Sequence, residues 1–240
     1  MTRLLWLPGV LRAAGIDVWE VSGWQRRGDD GMDPRCLVDH HTASAPGRDA
    51  PSLNTVVNGR PDLAGPLCHV LVSRSGIASV VAAGVANHAG QGGSPAHRAV
   101  HNRHAIGVEV ENNGTWEPWT PHLLSVCRRI DAAICRHLGW QADRCVAHKE
   151  WATPKGRKTD PSWDQNAHRA AVALLLIPVS EEDEMAALEQ KIIKAFLDGG
   201  RKASLVGRDE VWGWVCAAVE SGDADATCRY ITWVESQKPK

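Results

Sequence analysis

The sequence predicts an α/β fold, a mixed central β-sheet flanked by helices, with a small helical module at its C-terminal end. Three observations carry that expectation. Short apolar strands recur at 35-RCLVDHH-41, 68-CHVLVSRSGIASVVAAG-84, 105-AIGVEVEN-112 and 144-RCVAH-148. Two stretches of helical periodicity, beginning near 120 and 164, interleave with them, the alternation that defines the class. After Pro178 the run 180-SEEDE-184, a serine followed by four acids, marks a boundary that suits an exposed linker or the acidic first turn of a new helix. The chain therefore divides into residues 1–178 and 179–240.

The first strand delivers His40 and His41 at its end, where sites are commonly built. Residues 68–84 read as two strands around a Ser-Arg-Ser-Gly turn. The segment 105–112 alternates, with Ile106, Val108 and Val110 on one face and Glu109 and Glu111 on the other. Two carboxylates on one face of a core strand need a reason. Thr120 reads as an N-cap and Pro121 as the first helical residue; Leu123, Cys127, Ile130, Ile134 and Leu138 follow at helical spacing until Gly139. The strand 144–148 leads into the loop 147-AHKEWATPKGRKTDPSWD-164, and 164–177 is a second amphipathic helix ended by Pro178. Beyond the boundary, helices are expected near 185–197, 208–221 and 224–236.

Composition narrows the function classes. The 240 residues are 43% hydrophobic and 23% charged, as in an ordinary globular protein. The net charge of −1 splits into −4 over 181–240 and +3 over 1–180, too weak a basic bias for nucleic acid. The opening MTRLLWLPGVLRAAG is interrupted by Pro8, Gly9 and Arg12, a poor signal-peptide core and too short to span a bilayer, so synthesis in the cytoplasm without membrane insertion is expected. Seven cysteines without a C-x-x-C pair point to reduced, mostly buried thiols. With 11 Trp against one Tyr and one Phe, any aromatic stacking falls to tryptophan.

Hydrolytic zinc sites take three protein ligands and leave a fourth position for water. His40 and His148 each follow a predicted strand, where neighbouring strands can bring them together. Asp160 can return to them because the dozen-residue loop after His148 folds back, stiffened by Pro154 and Pro161. Lys158 alternates with Asp160, so in an extended segment both side chains point the same way. His69 reads equally as a core residue or as a partner of the site, His88 can line the groove, and a second site at His97, His101 and His104 is not expected.

Together these residues resemble the zinc-dependent N-acetylmuramoyl-L-alanine amidases, a family that includes phage lysozymes and endolysins and is similar in fold to the peptidoglycan recognition proteins. The resemblance covers about residues 1–177 and rests on 37-LVDHHTAS-44, 68-CHVLVSRSG-76, 87-NHAG-90, 105-AIGVEVEN-112 and 147-AHKEWATPKGRKTDP-161, in the family's order and spacing. It implies Zn2+ bound by His40, His148 and Asp160, with His41 a neighbour, Glu109 the catalytic acid and base, and Lys158 the catalytic lysine. Glu111 matches no catalytic position, yet its shared strand face keeps it a competitor of Glu109. Ser162 stands where a glycine usually follows Asp-Pro, and Cys68 where an aromatic often precedes the histidine. The segments 19-WEVSGWQRRG-28 and 53-LNTVVNGRPDLAGPLCH-69 resemble most the amidase domains of endolysins from phages of actinobacteria.

The resemblance implies hydrolysis of the amide between N-acetylmuramic acid and L-alanine in bacterial peptidoglycan, by an enzyme that waits in the cytoplasm until a separate membrane-permeabilising protein releases it to the wall. Two other readings stay open: a cytosolic amidase that recycles muropeptides, and a non-catalytic peptidoglycan-binding module, which would typically lack a full ligand set. The catalytic domain is expected to be monomeric. The tail is expected to help hold the enzyme on the wall or on a second chain, through Trp212, Trp214 and Trp233, unless those rings form its own core.

Overall fold

The computed structural model of the protein describes residues 3–178. The expected C-terminal module, with its helices and its tryptophans, lies outside the described residues.

The apolar opening becomes a core helix, α1 (Leu7–Ala13), which buries Leu7 and Leu11 and carries Pro8 in its first turn, where a missing N–H breaks no intrahelical bond. Strands β1 (Val18–Glu20) and β2 (Cys36–His41) follow, then a short helix α2 (Leu53–Asn58) and a two-stranded ribbon of β3 (Gly59–Arg60) and β4 (Leu63–Ala64). The hairpin expected over 68–84 is present as β5 (Val70–Val72) and β6 (Ala78–Val80), paired antiparallel, with Gly76 in the turn at φ +90°. Next come β7 (Ala105–Val110), α3 (Pro121–Leu138), β8 (Cys145–Ala147), the single turn α4 (His148–Trp151) and α5 (Gln165–Leu176). His148 thus opens a helical turn and does not extend the strand that precedes it.

Helix α3 begins and ends as its sequence predicts: the Thr120 hydroxyl accepts from the Leu123 N–H at 3.1 Å, and Gly139 leaves the helix at φ +67°. Its inward stripe, Leu123, Cys127, Ile130 and Ile134, is buried. Helix α5 is capped by Asp164, whose side chain accepts from the Asn166 and Ala167 N–H groups.

Six strands form one sheet in the order β1-β6-β5-β7-β2-β8, parallel throughout except for the β5–β6 hairpin, so the sheet is mixed. Alternation sorts its residues between two faces. Leu37, Ile106, Val108 and Val110 join α1, α3 and α5 in the larger core. Cys36, Val38 and Ala105 face the other way and pack with Ala89, Val146 and Trp151. His40 continues the series 36, 38, 40, and Glu109 the series 105, 107, 109, so both belong to this second face. The five cysteines of the described residues are buried free thiols. No helix among the described residues is long and apolar enough to cross a membrane.

Candidate metal centre

Strand register assembles the site. In the parallel pair β2–β7, His40 lies opposite Glu109, and in β2–β8, Asp39 lies opposite Ala147, which delivers His148 beside His40. The loop from 152 to 164 then returns Asp160 to both histidines. The His40 and His148 Nδ1 atoms are 2.9 Å apart, and Asp160 Oδ2 lies 3.1 Å from the first and 2.8 Å from the second. The three donor atoms meet at one point, and both rings are buried.

Hydrogen bonds on the far sides of the rings decide what those atoms offer. His148 Nε2 donates to the Ala89 carbonyl at 3.1 Å, which leaves a lone pair on its Nδ1. His88 Nε2 donates to the Ala105 carbonyl at 3.2 Å, so its Nδ1 accepts from His40 Nε2 at 3.0 Å, and His40 too turns an Nδ1 lone pair inward. Two lone pairs and a carboxylate oxygen facing each other this closely need a positive charge among them, either a proton or a cation. Burial pushes the His40 pKa down to about 4, against the pull of Asp160, so a second proton on its ring, at Nδ1, is disfavoured at neutral pH. Two neutral imidazoles and one carboxylate are a donor set that zinc accepts, and the residues fit the ion.

Beside this cluster Glu109 of β7 and Glu111, just past the end of that strand, differ sharply. Glu109 has Oε1 4.0 Å from His40 Nδ1, while its Oε2 is buried without a hydrogen-bond partner. Burial, then the negative charges of Asp160 and Glu111, raise its carboxyl well above the ordinary range, and Lys158 opposes the rise. Glu111 is fully buried and satisfied: it accepts from the hydroxyls of Thr42, Ser44 and Ser52 and from the Ser52 N–H. Its hydrogen bonds tie the chain after β2 to the start of α2. Lys158 is half-buried, and its ammonium makes no hydrogen bond or ion pair among the described residues.

Compared with protein families, residues 30–163, more than half of the chain, match the one described as N-acetylmuramoyl-L-alanine amidase. The chain belongs to the N-acetylmuramoyl-L-alanine amidase family. Among solved structures, this amidase-family chain is similar to a selenomethionine derivative of AmpD, at 23% identity over 65% of this chain and 93% of that one, TM-score 0.49. A mutant endolysin from Bacillus subtilis matches at 18% identity over 65% and 99%, TM-score 0.47. The Staphylococcus aureus hydrolase AmiA, solved in complex with its ligand, matches at 13% over 68% and 83%, TM-score 0.47. No curated protein matches the chain.

Several residues of the amidase site carry no signal in the sequence. Lys149, next to His148, staples the returning loop: its ammonium donates to the carbonyls of Pro161 and Trp163, each at 2.8 Å, and its backbone N–H to the Asp160 carbonyl at 2.7 Å. Glu150 pairs with Arg169 of α5 and accepts from the Ala147 N–H at 3.0 Å, which sets the start of α4. His88 depends on Gly107, because a β-carbon there would come within 2.5 Å of its ring. The 87-NHAG-90 segment hinted at His88, but only the fold shows that its ring orients His40. His41, on the same strand end, accepts at Nδ1 from the Ser162 N–H at 3.2 Å and stands apart from the three donors.

Proposed function

We propose that the chain is a zinc-dependent, endolysin-type N-acetylmuramoyl-L-alanine amidase that hydrolyses the amide joining the lactyl group of N-acetylmuramic acid to L-alanine. The observation that carries this reading is the convergence of three metal-donor atoms beside a half-buried glutamate, one oxygen of which is buried without a hydrogen-bond partner, in a chain of this family. His40 and His148 would hold the ion through Nδ1 and Asp160 through Oδ2. Zinc there would make water acidic near neutral pH and polarise a carbonyl.

The remaining work falls to this chain's side chains. Glu109, its affinity for a proton raised by burial, accepts a proton from the attacking water and returns it to the departing amine of L-alanine. The Lys158 ammonium faces the negative charge that develops on the carbonyl oxygen, a stabilisation that acts mainly in the transition state. His88 holds the His40 ring in the tautomer that presents Nδ1. An endolysin role, and within it a phage of actinobacteria, is supported by the residues 19–28 and 53–69, which resemble such enzymes.

Digestion of purified peptidoglycan followed by mass analysis of the released ends tests the reading. New L-alanine amino termini, unchanged glycan reducing ends and loss of activity in EDTA are expected. New reducing sugars that persist in EDTA would instead indicate a paired-carboxylate glycosidase. Hydrolysis of soluble muropeptides with none of intact walls would favour a recycling enzyme.

A further inference from the structure

The connection between β7 and α3 leaves the end of the strand that carries Glu109 and meets His41 and Ser162, which follow the donor residues His40 and Asp160 in the chain. It is rigidly built. The Asn113 side chain accepts from the N–H groups of Thr115 and Glu117 at 2.9 and 3.0 Å, and Asn112 accepts from the Gly114 N–H at 2.8 Å. Glu117 receives two bonds from Arg74, at 2.6 and 2.9 Å, and one from the Asn113 N–H at 2.8 Å. Gly114, at φ +76°, lies so close to His41 that a β-carbon would come within 2.1 Å of its ring. Trp119, half-buried, donates to the Ser162 hydroxyl at 3.0 Å and stands 6.3 Å from the His41 ring.

On this frame the one large apolar side chain without a place in the fold is Trp116, 73% exposed. The side-chain oxygens of Asn112, Asn113 and Glu117 are engaged in the bonds that shape the turn, which hold its backbone beneath the ring. We propose that Trp116 is a saccharide-stacking subsite, a rigid indole face that takes the apolar C–H face of an N-acetylated sugar in the glycan strand and so positions the strand along the metal centre. The choice of saccharide rests on the peptidoglycan hydrolase reading above.

The chemistry of the loop favours a sugar over other partners. Residues 111–120 contain no Lys or Arg to attract an anionic lipid surface, and the Glu117 carboxylate is neutralised by Arg74. Its exposed neighbours Thr115 and Pro118 do not widen the ring into an apolar patch of the size that protein partners use. A flat ring with a single N–H donor among hydroxyl and amide groups matches the mixed apolar and polar surface of a pyranose.

The test is binding, measured by calorimetry on the full chain with peptide-free glycan strands and with a tetramer of β-1,4-linked N-acetylglucosamine. Trp116→Ala should weaken binding roughly three- to tenfold at unchanged melting temperature, Trp116→Phe should retain most of it, and Trp19→Ala, which removes another exposed ring on β1, should change nothing. Wild-type affinity in Trp116→Ala, an equal loss in Trp19→Ala, or no glycan binding by the wild-type chain would each overturn the proposal. The two readings separate in the same preparation. If glycan binding depends on Trp116 while wall digestion yields no new L-alanine termini, the amidase reading falls and the subsite stands; termini without a Trp116 dependence give the reverse.

Discussion

Glu109, on β7, and Glu111, the first residue past its end, are two residues apart, yet their surroundings assign them different work. Glu111 meets four hydrogen-bond donors from the segment after β2, whereas one oxygen of Glu109 meets none and the other faces His40. Glu109→Gln should therefore keep the metal and lose about 10²–10⁴-fold in hydrolysis, because the donor set is intact and proton transfer is removed. Glu111→Gln would turn an amide donor toward the hydroxyl and N–H donors it now satisfies, a loss of about 1–3 kcal/mol that a lower melting temperature should report. A dead Glu111→Gln variant with unchanged melting, beside an active Glu109→Gln, would exchange the two roles. His88→Ala removes no donor atom but frees the His40 ring, and zinc affinity should drop about 10–100-fold with the stoichiometry kept, as read by competition with a chelator. Asp160→Ala should abolish stable binding in the same titration.

Between elements, the sheet and its helices are joined by a buried polar network on the face of β2 opposite the metal centre. His168 of α5 bonds Asp131 of α3 at 2.7 Å, both groups 1% exposed, and its ring stacks on Trp163 with centroids 4.9 Å apart. Gln165 donates to Asp39 of β2 at 2.9 Å and accepts from the Trp163 indole. Asp39 is the residue before His40, so this network anchors the strand end from below while His88 and His148 hold it from above. Removing one partner of a buried pair leaves the other without compensation. His168→Ala should cost about 1–3 kcal/mol in a urea titration, because it leaves buried Asp131 without its hydrogen-bond partner, more than an exposed His122→Ala. A loss under about 1 kcal/mol would mean that the pair adds little to the packing of α3 against α5.

For the whole molecule, an amidase-family unit is followed by a tail of different charge and composition, net −4 over 181–240. We propose that the tail holds the enzyme on the wall or on a second chain, with Trp212, Trp214 and Trp233 as contacts. Its net charge disfavours simple attraction to an anionic wall, so binding should be specific and only weakly salt-dependent. A chain ending at Pro178 should keep zinc and cleave soluble muropeptides while sedimenting less with intact walls. Equal sedimentation of both forms, both monomeric, would leave the tail without a targeting or assembly role.

Much of this protein was legible in the sequence, where the information is local. Period-2 alternation placed Ile106, Val108 and Val110 in the core and the glutamates opposite them; Thr120, Pro121 and Gly139 marked both ends of α3; and the family's motifs pointed to His40, His148 and Asp160. The short elements, α1, β1, α2 and the β3–β4 ribbon, escaped because so few residues carry too little periodicity to separate strand from helix. What only the tertiary structure decided is pairing between distant segments. The β2–β7 and β2–β8 registers set which carboxylate faces His40, Gly107 leaves the space that lets His88 orient it, and the Lys149 staple returns Asp160 to the histidines. These contacts join residues from 12 to 120 positions apart, and such distances are closed by packing, burial and hydrogen-bond satisfaction, none of which leaves a spacing to read along the chain.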